Sequence, residues 1–145
     1  MSTLHIPFRH DHVGSFLRPT RLKDARIRYE AGSISAEQLK QIEDEEIAAL
    51  IEKQKQAGCL VITDGEFRRS YWHLDFMWGF QGIQKIELDH GYFFHGEETT
   101  PGSIEVIGKI SGEDHPFVEH FRFVKHFEEE GIVAKQTIPA TAHLL

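Results

Sequence analysis

The chain has 145 residues, 40% of them hydrophobic, which is enough for one cored domain. Its formal net charge of −7, with acidic residues concentrated at 43–46 and 128–130, excludes a nucleic-acid surface that works by neutralising phosphates. No apolar stretch approaches the roughly 20 residues of a membrane span, and the N-terminus lacks a signal-peptide core. We therefore expect a cytoplasmic protein with a small-molecule ligand, and no nucleic-acid or membrane partner.

The N-terminal segment predicts a strand over residues 4–13. Apolar side chains alternate with polar ones and the run reaches Val13, before Gly14 and Ser15 open a loop.

Two helices are predicted next. Thr20 can cap a first helix that stops near Gly32. Ser35 and Gln38 match a capping box at the start of a second, longer helix, which Gly58 ends as a left-handed C-cap residue would.

A second strand is predicted over residues 59–64, where a continuous apolar run ends in the sequence TDGE. Two buried parallel strands with a helical stretch between them form a βαβ unit. Because parallel strands collect their functional loops at the carboxyl edge of the sheet, Gly14, Ser15 and Glu66 are expected at one rim.

The rest of the chain continues this alternation. An aromatic-rich rim loop is predicted over residues 67–82, and a β-hairpin from residues 83–95 and 104–111. A helix carrying apolar residues over 117–127 leads to a third core strand at 132–139.

The segments HVGSFLRP, SISAEQ and GCLVITDGE, in this order, resemble the start of the catalytic barrel of cobalamin-independent methionine synthase. The later segments GYFFHGEET, VIGKISGEDHPF and AKQTIPA resemble its short, single-barrel bacterial relatives, the methionine synthase II-like proteins. The resemblance implies an α/β fold, a partial (β/α)8 TIM barrel with the hairpin inserted after strand two. A complete barrel needs about 250 residues, so residues 1–145 are expected to be the N-terminal portion of one barrel domain, about three βα units. Such an open barrel exposes strand edges, and the isolated chain should pair into homo-oligomers, aggregate or stay partly disordered.

The resemblance also implies an activity, methyl transfer from 5-methyltetrahydrofolate to the thiol of homocysteine, giving methionine. The family elements that bind homocysteine correspond to Val13, Gly14, Ser15 and Glu66. Backbone N–H groups and the hydroxyl of Ser15 can donate to the substrate carboxylate, while Glu66 can accept from its ammonium. Secondary candidates are His12, Asp64, which stands where the family has His, and Arg68.

Arg68 and Arg69 could bind an acidic group such as a folate polyglutamate tail. Surface pairing with Glu66 or Asp64 is the favoured interpretation.

The resemblance implies zinc as cofactor, with ligands from later strands outside this chain, so no catalytic or metal-binding residue is assigned here and the isolated chain is expected to be inactive. The single cysteine, Cys59, excludes an internal disulfide and is expected to be a packed core thiol about 20 Å from the rim. Thr99 and Thr100 stand where full-length synthases place an Arg-Cys pair against the pterin, which leaves the methyl donor open between 5-methyltetrahydrofolate and a related compound.

Two alternatives remain. His10 and His12 form a His-x-His pair like that of amidohydrolase-type metal-dependent hydrolases, and the chain could instead be a truncated, non-catalytic fragment. Further zinc or hydrolase ligands downstream of Leu145 would discriminate between these readings. Five further histidines lack helical ligand spacing and are expected mostly at the surface or in the hairpin: His73, His95, His115, His120 and His126.

Overall fold

The computed structural model describes residues 12–91, 93–140 and 142. The predicted first strand lies outside these residues except for His12 and Val13, which are not in a strand. The chain divides into two compact units, Met1–Arg69 with His120–Thr137 and Ser70–Glu119 with Ile138–Leu145. The elements are α1 (Thr20–Glu30), α2 (Ala36–Gln56), β1 (Val61–Ile62), α3 (Leu74–Trp78), β2 (Gln81–Glu87), β3 (Phe93–Phe94), β4 (Glu97–Glu98), β5 (Gly102–Ser111), α4 (Pro116–Lys125) and β6 (Val133–Ala134).

The first unit is a mixed α/β arrangement in which α1 packs on α2 and α2 packs on β1. Strands β1 and β6 pair in parallel, with Val61 opposite Val133 and Ile62 opposite Ala134. This confirms a parallel pairing between the second and third predicted strands.

Both of these strands are shorter than the predicted runs 59–64 and 132–139. The side-chain amide of Gln54 donates to the carbonyl of Thr63 (2.8 Å) and accepts from its N–H (3.0 Å). Because both backbone groups of Thr63 are engaged in this way, β1 ends at Ile62 and the chain turns.

The ends of α2 agree with the sequence prediction. Ser35 and Gln38 form the capping box, and Gly58, with φ +81°, donates its N–H to Lys55 just after the helix. For α1 the helix and its end near Gly32 agree with the prediction, but the predicted cap was wrong: Thr20 is the first helical residue and no side chain caps this helix, because Pro19 occupies the N-cap position. In the described ranges, none of the helices has both the length and the apolar character of a membrane span.

The core of the first unit joins both long helices to β1. Its buried side chains are Leu22 from α1, Ile47 and Ile51 from α2, Ile62 from β1, Phe67 and Val124. Burying such a side chain stabilises a fold by about 1.5–3 kcal/mol, so this cluster is what fixes α1 and α2 over the strands.

The second unit contains an antiparallel pair, β2 with β5, and a smaller pair, β3 with β4, in the connection between them. These bounds differ from the predicted segments 83–95 and 104–111, since β3 belongs to the inner pair. Residues 67–82 are not only a loop, because the short helix α3 lies within them.

His115 is buried in the second unit, unlike the surface or hairpin positions expected for most of the histidines. Its Nε2 donates to the carbonyl of Phe76 (2.8 Å), and its Nδ1 accepts from the N–H of Phe117 (3.1 Å) in the first turn of α4. The ring also packs against Phe80, and a Cβ on Gly79 would lie 2.5 Å from Nε2. His115 is therefore a core and capping residue of this unit.

Arg68 is also placed differently from the expectation. Its side chain is 5% exposed and pairs with Glu43 (3.2 Å) and with Asp44, both on α2, rather than with Glu66 or Asp64 at the surface. The guanidinium lies over the Phe123 ring, 5.2 Å from its centroid, and Arg26 of α1 also pairs with Glu43 (3.3 Å). This buried ion-pair cluster links α1, α2 and the segment after β1.

Burial raises the pKa of Glu43 above its ordinary value of 4.5, although Arg68 and Arg26 act to lower it. Burial acts in the same sense on Asp44, but hydrogen bonds from Lys40 and Arg68 outweigh it and the pKa of Asp44 is lowered. Glu43 is thus the member of the cluster whose ionisation opposes folding.

We expect Glu43→Gln to gain stability relative to the wild type as the pH rises from about 4 to 7. A raised pKa in the folded state means that Glu43 contributes stability below its ordinary pKa, and that this contribution is lost as the pH rises through the folded value. Urea unfolding at several pH values measures the difference. Glu45→Gln is the matched control of opposite sign, because a hydrogen bond from Arg21 lowers the pKa of Glu45. Parallel slopes for the two variants would contradict the prediction.

Candidate functional site

The loops HVGS and TDGE meet in the first unit. The N–H of Phe16 donates to the carbonyl of Gly65 (3.1 Å), and the hydroxyl of Ser15 donates to Oε2 of Glu66 (2.9 Å). The structure therefore brings together the two side chains that the sequence placed at one rim, just beyond the carboxyl end of β1.

The TDGE turn has two successive residues in the left-handed region, Gly65 at φ +62° and Glu66 at φ +58°. Asp64 accepts from the N–H of Glu66 (2.9 Å), and the Thr63 hydroxyl accepts from the N–H of Gly65 (3.1 Å). Such short polar side chains stabilise turns by bonding to the backbone two residues on. Asp64, 3% exposed, therefore shapes the turn that carries Glu66.

Glu66 is 5% exposed as a whole residue, and its carboxylate has two further partners. The hydroxyl of Thr137 donates to Oε1 (2.9 Å), and Nη1 of Arg69 lies 3.3 Å from the same oxygen. Arg69, 2% exposed, also donates through Nη2 to the carbonyl and hydroxyl of Thr137. A buried carboxylate surrounded by donors in this way acts as an acceptor.

Neither Thr137 nor this role of Arg69 was predicted from the sequence. Thr137 lies in the predicted third strand, two residues before Pro139, so the rule that strand ends share one rim could have found it. Arg69 gave no comparable signal, because its expected surface pairing with Glu66 turns out to be a buried one.

Two further arginines hold the backbone that follows Glu66. Arg18 donates through Nη2 to the carbonyls of Glu66 (3.1 Å) and Arg69 (2.7 Å). Arg26 donates to the carbonyls of Arg69 (3.0 Å) and Phe67. The position of Glu66 is therefore set by hydrogen bonds on both sides of it.

The loop that carries Ser15 is exposed. Val13 is 82% exposed, and Gly14 and Ser15 are exposed as well. Gly14 has φ +92°, and within the described part of the chain the N–H groups of Gly14 and Ser15 donate no hydrogen bond. Exposed, unengaged N–H groups beside a hydroxyl can donate to a carboxylate of a ligand.

His12 does not join this group. Its Nε2 lies 3.6 Å from Sγ of Cys59, and its ring packs against Phe16. Cys59 is partly exposed, which corrects the expectation of a packed core thiol. His10, the other half of the His-x-His pair, lies outside the described residues, and the described residues contain no group of three or more His, Cys, Asp or Glu side chains that could hold a metal ion.

The second unit has a cavity of about 490 Å³. Tyr71 and Trp72 line it beside Thr99 and Thr100, and the hydroxyl of Tyr71 accepts from the N–H of Thr100 (3.0 Å). The Trp72 and His73 rings are in contact, with centroids 4.6 Å apart. The size and the aromatic lining are typical of a small-molecule site.

Comparison with known proteins shows similarity to one family. The family model for the catalytic domain of cobalamin-independent synthase matches residues 8–99. The chain is 45% identical over 134 residues to the uncharacterized Bacillus subtilis protein YxjH, covering 92% of this chain and 35% of that protein. It is 30% identical over 118 residues to a methionine synthase of Saccharolobus solfataricus, covering 78% and 33%.

A crystal structure from Listeria monocytogenes, of a protein assigned provisionally to vitamin-B12-independent methionine synthases, is similar with a TM-score of 0.77 and 43% identity. The match covers 95% of this chain and 38% of that one. The chain spans about a third of the length of the curated relatives it matches.

The tight approach at Gly65 leads to a stability prediction. A Cβ at this position would lie 2.4 Å from Cδ2 of Leu50 and 3.3 Å from Cβ of Phe16, in a backbone conformation that already disfavours side chains. We expect Gly65→Ala to cost about 2–4 kcal/mol of unfolding free energy, the sum of strain and overpacking. Gly58→Ala is the matched control: it has φ +81° with no atom within 4 Å of a Cβ, and should cost only about 1 kcal/mol. Equal losses in urea unfolding would show that the contact with Leu50 does not matter.

Proposed function

Because the chain belongs to the cobalamin-independent methionine synthase family, we propose that it forms the amino-acid-binding part of a methyltransferase. The reaction moves a methyl group from 5-methyltetrahydrofolate, or a related donor, to the thiol of homocysteine and gives methionine. The chain would be the N-terminal portion of a (β/α)8 barrel, about three βα units, with the β2–β5 segment inserted after its second strand.

The carboxylate of Glu66 is the observation that carries this proposal. It lies beside an exposed loop whose N–H groups and hydroxyl can donate, so acceptor and donors stand next to each other. An amino acid presents the complementary pair, an ammonium and a carboxylate. Glu66 would accept from the ammonium, and the Val13–Gly14–Ser15 turn would donate to the carboxylate.

This arrangement would bind and orient the amino-acid end of homocysteine, but it does not activate the sulfur. Zinc, when bound, would stabilise the homocysteine thiolate, the nucleophile of the transfer. The described residues do not offer a set of zinc ligands, so no step is assigned to zinc in this chain. Its contribution to the rate would be to hold the amino-acid end of homocysteine in one orientation.

For the donor we propose the cavity of the second unit. Its aromatic side chains suit a flat ring system such as a pterin, and Thr99 and Thr100, at the position of the Arg-Cys pair in full-length synthases, lie in its wall. Two hydroxyl groups replace a guanidinium there, so recognition would depend more on stacking than on charge.

Replacing Glu66 in the intact protein that this chain would begin tests the amino-acid site. We expect Glu66→Gln to weaken homocysteine binding by about 1.5–3 kcal/mol, or roughly 10- to 150-fold, because the ammonium loses a charged acceptor. Calorimetric titration measures the affinity. Glu43→Gln is the matched control, since it neutralises another buried, arginine-paired glutamate of the same unit and should leave the affinity unchanged.

Equal affinities of the wild type and Glu66→Gln would remove Glu66 from the site. If the wild type binds neither homocysteine nor methionine, the substrate itself is wrong.

Replacing Trp72 tests the donor site. We expect Trp72→Leu to weaken binding of 5-methyltetrahydrofolate roughly three- to tenfold through lost stacking, with homocysteine affinity unchanged. Phe93→Leu, which removes an aromatic ring that is 66% exposed and outside the cavity wall, is the control. A donor affinity that is the same in Trp72→Leu and in the wild type would place the donor elsewhere.

A further inference from the structure

The two oxygens of the Glu66 carboxylate have different surroundings. Oε1 receives the hydroxyl of Thr137 (2.9 Å) and Nη1 of Arg69 (3.3 Å). Among the described residues, Oε2 receives one donor, the hydroxyl of Ser15 (2.9 Å), which comes from the exposed loop. One oxygen is thus bound by the segments after β1 and β6, and the other by a residue of the exposed loop.

The two oxygens of the Glu66 carboxylate also differ in how many more hydrogen bonds they can accept. An ionised carboxylate has about four lone-pair sites, and three donors from the described part of the chain use three of them. Oε1 is filled by its two donors. The remaining acceptor site therefore belongs to Oε2, next to the hydroxyl of Ser15.

We propose that Thr137 and Arg69 are positioning residues for ammonium recognition, which hold Oε1 and thereby present the open site of Oε2 to the substrate. This proposal rests on the proposed function and adds residues to it. The substrate ammonium binds Oε2, and the hydroxyl of Ser15 either shares that oxygen or turns to the substrate carboxylate.

The hydroxyl of Thr137 is oriented by its two contacts. Nη2 of Arg69 donates to this hydroxyl (3.2 Å), so the oxygen serves as acceptor there and its single proton points to Glu66. Arg69 also donates to the carbonyl of Thr137. The end of the segment after β6 is therefore connected to the carboxylate by successive hydrogen bonds: Arg69 donates to the Thr137 hydroxyl, and this hydroxyl donates to Glu66.

Thr137→Val removes this hydroxyl and keeps the shape of the side chain. In calorimetric titrations we expect methionine affinity to fall roughly five- to thirtyfold, the effect of losing a hydrogen bond to a charged group. The affinity for 4-(methylthio)butanoate, which is methionine without its amino group, should stay within about twofold of the wild type, since this ligand makes no use of Oε2. Thr137→Ser, which restores the hydroxyl, should bind both ligands as the wild type does.

The selectivity for the amino group separates positioning from a general structural role. Equal loss of both ligands in Thr137→Val, or loss of neither, overturns the proposal. If circular dichroism shows that Thr137→Val does not fold, Arg69→Lys takes its place, because lysine keeps the charge and loses the fork that reaches both Glu66 and Thr137. The affinity of Arg69→Lys for methionine must then fall while its affinity for 4-(methylthio)butanoate does not. If the wild type fails to bind methionine, the proposed function falls, whereas binding in the wild type with an unselective variant defeats only this inference.

Discussion

The site depends on a buried pair of charges, Glu66 and Arg69. Removing one partner from such a pair typically costs about 3–5 kcal/mol, because the other is left uncompensated away from water. Each partner is therefore tied to other parts of the chain: Glu66 to Ser15 and Thr137, and the backbone of Arg69 to Arg18. The loop before α1, the turn after β1 and the end of the segment after β6 cannot shift separately without breaking a bond to one of these charges.

The same turn carries strain that its neighbours support. Glu66 has φ +58°, a conformation that costs a residue with a side chain about 1–2 kcal/mol. The carboxylate of Asp64 and the guanidinium of Arg18 bind its N–H and its carbonyl, and so hold the backbone there. A helical or extended Glu66 would point its carboxylate elsewhere. Strain of this kind persists where the surrounding structure over-determines it, and such positions concentrate at ligand sites.

Local patterns in the sequence predicted local structure well. The capping box at Ser35 and the helix end at Gly58 depend on residues within one turn, and both were found where expected. The meeting of Ser15 with Glu66 could be anticipated because strand ends share a rim. Partner choice over long distances could not: Arg68 pairs with α2, and His115 is buried through contacts with α3 that no short motif encodes. The pairing of Arg69 with Glu66, three positions away, was expected, but its burial was not. Asp64, which stands where the resemblance places a His of the family, accepts from the N–H of Glu66 and so shapes the turn.

The side-chain amide of Gln54 binds both backbone groups of Thr63, as a neighbouring strand would, and this affects the order in which the fold forms. The two residues are nine positions apart, whereas Glu66 and Thr137 are separated by 71. Closing the longer loop costs about 2 kcal/mol more in chain entropy, so the contact between α2 and β1 can form before β6 joins. During synthesis on a ribosome, α2 and the turn after β1 would form before Thr137 is made. Until then, water would take the place of the Thr137 hydroxyl at the carboxylate of Glu66.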